Sequence, residues 1–166
     1  MATPAQQALI DLWEEHTRCE FEAKDVDGTM ATMREGAHIL NMPVMTGGDG
    51  LEAVREFYSK SFIPQLPLDT ETVLVSRTVG DTQIVDELIF KFTHTVSMDW
   101  MLPGIEPTGK RVEIGLVVIL GIHESKVTHE HIYWDQASVL VQVGLIDPAN
   151  LPVCGIESAR KMAEYI

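Results

Sequence analysis

Apolar residues in the first third of the chain recur at helical spacing. Residues 4–23 carry apolar side chains three or four positions apart, which predicts a first helix with one apolar face. Thr3 and Gln6 have the residue types of a capping box at its start. A second, short helix is predicted over residues 25–33, and a third over 51–63, ahead of a proline that cannot continue it.

The second half of the chain changes to the alternating pattern of β-strands. Alternation predicts strands over residues 73–79 and 84–95. Residues 112–122 are almost continuously apolar, so this strand is expected to be buried on both faces or to lie in a subunit interface. The stretch 126–146 predicts a strand that starts with ionisable residues and ends apolar. An earlier short strand is predicted over 38–45.

The segments between these elements complete the predicted architecture. Residues 46–50 form a Gly-rich turn, and the loop 98–111 carries large apolar residues, so it is expected to fold over a pocket mouth or pack on a partner. Residues 147–166 form a tail or short helix, and 1–166 is expected to be a single domain. The order of elements predicts an α+β fold: N-terminal helices packed in a curved, mainly antiparallel, cone-shaped sheet with a pocket inside.

Composition and charge narrow the functional classes. The chain has 25 Asp and Glu against 12 Lys and Arg, a net charge of −13. This balance argues against nucleic acid and anionic membrane surfaces as partners. No apolar run reaches the length of a membrane helix, no secretory signal is recognised, and two cysteines are too few for a disulfide framework. A cytoplasmic protein is therefore expected.

Several ionisable residues fall on faces that are otherwise apolar. Asp86 and His94 share one face of strand 84–95 with large apolar residues, so they either form structural salt bridges or line a pocket. His16 interrupts the apolar face of the first helix, as a core histidine or as a pocket group. Strict alternation places His131 and Asp135 on one face of their strand and Glu130 on the other.

We expect these residues and several aromatic or amide side chains to form one pocket. Asp135 and His94 are candidates for acid–base catalysis. The predicted substrate-binding residues are Asp86, Trp100, His131, Tyr133, Asn41, Tyr58, Trp13 and His16. No metal and no cofactor are predicted. His129 and His131, two apart on one strand, could ligate a metal, but the surrounding pattern does not fit a cupin site, and this alternative is set aside.

Three stretches resemble the SnoaL-like polyketide cyclase group of the nuclear transport factor 2-like superfamily. Residues 92–95 followed by Pro-Thr-Gly-Lys at 107–110 resemble the family's His-Thr and Pro-Thr-Gly-basic motifs. Residues 130–144 resemble its closing strand of Glu, aromatic, Asp, Leu and Gln-x-Gly. Residues 41–58 resemble the early strand, turn and helix. The resemblance covers most of residues 5–147 and implies the cone-shaped fold.

The resemblance also implies a chemistry. In the cyclases an Asp on the late strand acts as acid or base on an enolisable polyketide without metal or cofactor, and Asp135 falls at that place. His94 falls on the family's His. In the related ketosteroid isomerases a general-base Asp precedes the proline of the early strand, where this chain has Met42. The helix-one Tyr of such sites falls near His16 or Thr17, so this chain departs from the isomerase pattern.

Two functions follow from this pattern. The first is a cofactor-independent acid/base enzyme of the cyclase or isomerase type, acting on a small, largely apolar carbonyl compound, since a carboxylate on an apolar wall can have a raised pKa. The alternative is a non-catalytic domain that binds a small ligand or dimerises. In both cases the expected partners are a small apolar or aromatic molecule and a second copy of the chain, bound through the sheet face.

Overall fold

A computed structural model of the protein describes residues 2–166. Helices and strands follow the order that the sequence predicts, with helices first and long strands after them. The helices are α1 (Pro4–Thr17), α2 (Val26–Ala31), α3 (Leu51–Glu56), α4 (Gln136–Gln142) and α5 (Glu157–Ala163). The strands are β1 (Met33–Asn41), β2 (Thr46–Asp49), β3 (Glu71–Val79), β4 (Gln83–Thr93), β5 (Arg111–His123) and β6 (Lys126–Trp134).

The six strands form one mixed sheet in the order β2-β1-β6-β5-β4-β3. Only β1 and β6 run parallel, and every other pair of neighbours is antiparallel. The long hairpin of β4 and β5 is in register over its full length, from Gln83 opposite Gly121 to Thr93 opposite Arg111. The predicted α+β architecture with a mainly antiparallel sheet is confirmed.

The first helix begins and ends as its sequence dictates, and then widens. The Thr3 hydroxyl accepts from the backbone N–H of Gln6, and the Gln6 side chain accepts from the backbone N–H of Thr3, so the predicted capping box is present. Arg18–Ala23 continues α1 as a π-helical segment, and Phe57–Phe62 continues α3 in the same way. Such wide turns are frequent at functional sites, and both segments carry residues of the cavity described below.

The prediction of a strand over 126–146 is wrong in its second half. Strand β6 ends at Trp134, and the apolar run that follows forms α4. The physical reason is Asp135, whose side chain accepts from the backbone N–H of Ser138 at 3.2 Å and so caps α4. Gln142 at the other end bonds both backbone groups of Glu113, which fixes α4 beside the part of β5 that extends beyond β6.

Strand β1 also differs in its bounds from the early strand predicted over 38–45. It begins at Met33 rather than at residue 38, and it ends at Asn41. The Gly-rich segment expected to be only a turn contains β2, which pairs with β1 from Thr46 opposite Asn41 to Asp49 opposite His38. Glycine has no side chain to disfavour close approach, and here Gly48 lies against the backbone of Ala53 at the start of α3.

The loop between β4 and β5 belongs to the core. Met98, Trp100, Met101 and Leu102 are each at most 2% exposed. They pack with the aromatic residues of the π-helical segments, for instance Trp100 edge-on against Phe62 with ring centroids 5.1 Å apart. The predicted loop is confirmed, and its large apolar residues close one end of the fold.

The face of the sheet opposite the helices α1 and α3 is partly covered by the C-terminal residues. Helix α5 packs on β5, where the Met162 side chain lies over Gly115. The structure contains a single chain, so the expected homodimer through this face stays a prediction. Among residues 2–166, no helix combines the length and apolar character needed to cross a membrane.

The cap assigned to Asp135 predicts the stability of two variants. Asp135→Ala should lower the free energy of unfolding by about 1 kcal/mol, because Ala cannot accept the Ser138 N–H, whereas Asn caps as well as Asp. Asp135→Asn should therefore keep nearly all of the wild-type stability. Urea unfolding followed by circular dichroism measures both. Equal losses in the two variants would contradict the capping role.

Candidate functional site

A cavity of about 160 Å³ lies between the concave face of the sheet and the segments α1 and α3 with their π-helical continuations. This is close to the ~150 Å³ of an engineered apolar cavity that binds benzene. Its walls are mainly aromatic and aliphatic. The apolar lining comes from Phe21, Ile39, Phe57, Phe62, Leu74, Leu88, Phe90, Trp100, Leu116, Val118 and Ile132.

Two glutamates and a tyrosine form one polar part of this cavity, with a histidine behind them. Nε2 of His16 lies 3.2 Å from Oε1 of Glu20, 3.1 Å from Oε1 of Glu130 and 3.0 Å from the Tyr58 hydroxyl. The Tyr58 hydroxyl donates to Oε1 of Glu130 at 2.8 Å. All four side chains are buried. We call His16, Glu20, Tyr58 and Glu130 the carboxylate cluster.

The contacts of the other ring nitrogen of His16, Nδ1, show that this nitrogen carries a hydrogen. The Thr32 hydroxyl donates to the backbone carbonyl of Thr29 at 2.6 Å, so toward Nδ1 of His16, 2.6 Å away, it must accept. Nδ1 therefore carries a hydrogen. A neutral His16 would present a lone pair at Nε2, and a protonated His16 would present an N–H to the carboxylates.

The electrostatics favour the protonated form. Burial disfavours the imidazolium, but the charges of Glu20 and Glu130 outweigh burial and raise the pKa of His16 to about 10. Burial raises the pKa of Glu20 above its ordinary value, against the opposing effect of His16. Burial, together with both glutamates, raises the pKa of the Tyr58 hydroxyl well above 10, so Tyr58 stays a donor.

The same three residues could in principle hold a metal ion. One ligand atom each from His16, Glu20 and Glu130 lie within 4.8 Å of one another. A metal at Nε2 would have to displace the proton that the charges of the two glutamates favour there, and the same charges would attract the ion. The arrangement is therefore compatible with proton transfer and with metal ligation.

A second polar group lies across the cavity and is internally neutralised. Arg77 donates from Nε to Oδ1 of Asp86 at 2.7 Å and from Nη2 to Oδ2 at 2.8 Å, a two-point ion pair between β3 and β4. The indole N–H of Trp13 donates to Oδ2 of Asp86 at 2.8 Å. Asp86 was predicted either to form a structural salt bridge or to line a pocket. It does both, since it is paired with Arg77 and lines the cavity.

Half of the predicted site residues line the cavity. These are Trp13, Asn41, Tyr58, Asp86 and Trp100. His16 lies directly behind the cavity wall, in contact with Tyr58 and both glutamates. These six side chains thus lie together at one cavity, as expected.

The other four predicted residues lie elsewhere. Asp135 is exposed at the cap of α4, because the strand on which it was expected ends one residue earlier. His131 and Tyr133 point to the opposite face of β6 from Glu130 and Ile132, which line the cavity. His94 is buried at the end of β4, where Nδ1 accepts from the backbone N–H of Thr108 and burial lowers its pKa.

Sequence reasoning missed the two glutamates as site residues, although signals for both were present. Glu20 continues the apolar stripe of the first helix four residues after His16, which placed it on the buried face. Glu130 shares its face of β6 with Ile132 and Trp134, an apolar environment in which a carboxylate needs a partner. The motif resemblance drew attention to Asp135 instead.

The raised pKa of His16 predicts a pH dependence of stability. Because the pKa rises from 6.5 in the unfolded chain to about 10 in the folded one, the stabilisation is complete below pH 6.5 and is lost as pH rises toward 10. The free energy of unfolding should fall by a few kcal/mol over that window, since one pKa unit corresponds to about 1.4 kcal/mol. Urea titrations at pH 6.5, 8 and 9.5 measure it.

A double variant provides the control for this experiment. Glu20→Gln combined with Glu130→Gln removes both charges that raise the pKa of His16 and leaves only the effect of burial, which lowers it. The decline between pH 6.5 and 9.5 should then disappear. A decline of equal size in wild type and double variant would show that other groups cause it.

Comparisons with known proteins identify the fold of the chain. No protein-family model matches the chain, and no curated protein matches its sequence. A candidate SnoaL-like polyketide cyclase from Jannaschia sp. CCS1 is similar in structure, with a TM-score of 0.71 at 17% identity, over 89% of this chain and 99% of its own.

Two other solved structures are similar over most of their length. One is the epoxide hydrolase/cyclase-like enzyme SalBIII, with a role in pyran ring formation in the polyether salinomycin (TM-score 0.60, 19% identity, 78% of this chain and 92% of that one). The other is TerC, co-crystallised with polyporic acid (TM-score 0.61, 11% identity, 82% and 98%). The chain thus has the nuclear transport factor 2-like fold, shared by the SnoaL-like proteins that its motifs resemble.

Proposed function

We propose that the protein is a cofactor-independent acid/base enzyme of the cyclase or isomerase type, acting on a small, largely apolar carbonyl compound. The observation that carries the proposal is the carboxylate cluster at the wall of an otherwise apolar cavity. Two carboxyl groups and one phenol lie within hydrogen-bonding distance of one atom, Nε2 of the buried His16. Buried ionisable groups arranged in this way are costly for folding alone, which favours a functional role.

The cluster can hold and pass a proton. Glu130 lines the cavity, accepts a hydrogen bond from the Tyr58 hydroxyl and lies 3.1 Å from Nε2 of His16. The raised pKa of Glu20 lets its protonated form persist to higher pH than that of an exposed glutamic acid. In the proposed step, Glu130 takes a proton from the carbon next to the substrate carbonyl, and Glu20 gives one to the developing enolate oxygen.

His16 acts through the glutamates and is a positioning residue. It does not line the cavity, and its imidazolium balances the charge of whichever of the two glutamates is ionised during the step. Return of the proton to a different carbon gives isomerisation. In cyclisation, the enolate carbon attacks a second carbonyl carbon of the same molecule, the π bond of that carbonyl opens to an alkoxide, and the alkoxide takes the proton held by Glu130. Both reactions need only proton transfers from the protein and no redox partner.

The cavity supports the choice of substrate class. Its volume of about 160 Å³ fits a single ring, and its aromatic walls favour a flat, apolar molecule. The indole N–H of Trp100, a residue of the wall, is buried and has no hydrogen-bond partner among residues 2–166. A ligand oxygen that reached it would satisfy this donor. SalBIII has a role in pyran ring formation, and TerC was co-crystallised with polyporic acid. Both agree with cyclic compounds as ligands of this fold.

Exchange of carbon-bound hydrogen for deuterium tests the proposal without knowledge of the natural substrate. Cyclohexanone and acetophenone would be incubated with the protein in D₂O, and loss of the α-hydrogen signals followed by proton NMR. Wild type should accelerate the exchange. Glu20→Gln and Glu130→Gln should each reduce the enzymatic rate by about 10²–10⁴-fold, the usual contribution of a general acid or base.

Two further variants sharpen this experiment. Glu113→Gln serves as the matched control, because Glu113 is a half-buried carboxylate on a residue of β5 that does not line the cavity, and it should exchange at the wild-type rate. Loss of exchange in Asp135→Asn, with Glu20→Gln and Glu130→Gln active, would contradict the proposal and return the role to Asp135. Ketones that bind in the cavity without any exchange would favour the alternative, a ligand-binding domain.

A further inference from the structure

Three histidines gather on the face of the sheet opposite the cavity. His38 of β1 is opposite His129 of β6 in the parallel ladder, and His131 lies two residues further along β6. Nε2 of His38 and Nε2 of His131 are 2.9 Å apart. All three rings are half-buried. We call His38, His129 and His131 the histidine triad.

We propose that the histidine triad is a binding site for a divalent transition-metal ion of the zinc class. The site is separate from the carboxylate cluster and does not depend on the proposed function. Imidazole nitrogen is a preferred ligand of Zn²⁺, Co²⁺, Ni²⁺ and Cu²⁺, and three histidines with one open position are a known zinc ligand set.

The spacing of the rings supports the proposal. The ring centroids are 5.4 Å apart for His38 and His129, 5.1 Å for His38 and His131, and 4.6 Å for His129 and His131. Three imidazoles bound tetrahedrally to one zinc at the usual Zn–N distance have centroids about 5.2 Å apart. The backbone therefore holds the rings at about the separation that one ion requires. His129 is stacked on His38 and on His131, at interplanar angles of 16° and 29°, so binding would require the rings to turn about χ2, a soft torsion for His, until three nitrogens face one point.

The neighbouring residues fit a built site. Gly121 is opposite His129 in the β5–β6 ladder, and a Cβ at residue 121 would lie 2.2 Å from Cε1 of the His129 ring. Only glycine leaves room for the ring in this position. Nδ1 of His129 lies 3.2 Å from the Thr128 hydroxyl, a contact of the kind that orients a ligand histidine and directs its Nε2 outward.

Charge also favours a cation here. Asp49 is the cross-strand partner of His38 and so shares its face of the sheet. The chain as a whole carries a net charge of −13, which raises the local concentration of cations. In the absence of an ion, His38 and His131 must share a single hydrogen between two nitrogen atoms, and an ion would satisfy both lone pairs.

Metal titration of tag-free protein, stripped with a chelator, tests the site. Zn²⁺ would be titrated in competition with a chromophoric chelator, and Co²⁺ followed by its visible absorption. Wild type should bind one ion per chain with a Co²⁺ spectrum of tetrahedral type. His38→Ala, His129→Ala and His131→Ala should each weaken Zn²⁺ binding at least about tenfold. Gly121→Ala, which keeps all three histidines, should weaken it too.

Two matched variants separate this site from the alternatives. His123→Ala removes an exposed histidine at the end of β5 and should leave binding unchanged. Glu20→Gln disrupts the carboxylate cluster and should also leave it unchanged. Loss of binding in Glu20→Gln, equal binding in wild type and His131→Ala, or no stoichiometric ion at all would each overturn the proposal. Circular dichroism of every variant confirms that it is folded.

Discussion

The buried contact between His16 and the two glutamates is the interaction on which the rest of the structure depends. It joins the first helix, its π-helical continuation and strand β6, and Tyr58 adds the segment that follows α3. A lone carboxylate at such a depth would cost several kcal/mol, so each group is tolerated only because the others are present. The helices are therefore held over the sheet by a set of partners that depend on one another for the stability of their buried charges.

This constraint explains why the cavity has two different walls. On one side the carboxylate cluster is sensitive to protons, because burial and mutual charge shift the pKa values of His16 and Glu20. On the other side the Arg77–Asp86 ion pair, with Trp13 as a third partner, closes the cavity while leaving no free charge. In the proposed function, a ligand between the two walls would meet aromatic surface for most of its area and the carboxylate cluster at one edge. That asymmetry would give an apolar molecule one defined reactive end.

The sequence was sufficient for the fold but only partly for the site. Helical spacing located Trp13 and His16 on one face, and alternation in β4 put Asp86 on the apolar side, so these three were placed correctly near the cavity. Alternation alone could not decide which face of β6 looks inward, because both faces carry ionisable residues. The register with β5, in which Leu120 lies opposite Glu130, makes that decision in three dimensions.

The end of β6 also shows what local sequence patterns alone do not predict. A run of valine and leucine suits a strand, yet after Asp135 it forms α4, because the cap and the contacts of Gln142 with β5 outweigh local β-propensity. The motif residue Asp135 was therefore read in the wrong context. The resemblance pointed to β6, which does line the cavity. The buried carboxylate of this strand is Glu130, which lies before Asp135 in the chain.

Strand β6 carries two separate chemistries because a strand alternates its side chains. Glu130 points into the cavity, while His129 and His131 on either side of it point to the outer face. The sheet between them keeps the carboxylates and the imidazoles apart, so neither set neutralises the other. A single residue of register shift would exchange the two sets and bury the histidines among aromatic side chains. The ladder with β5, including the glycine that admits the His129 ring, thus fixes both sites at once.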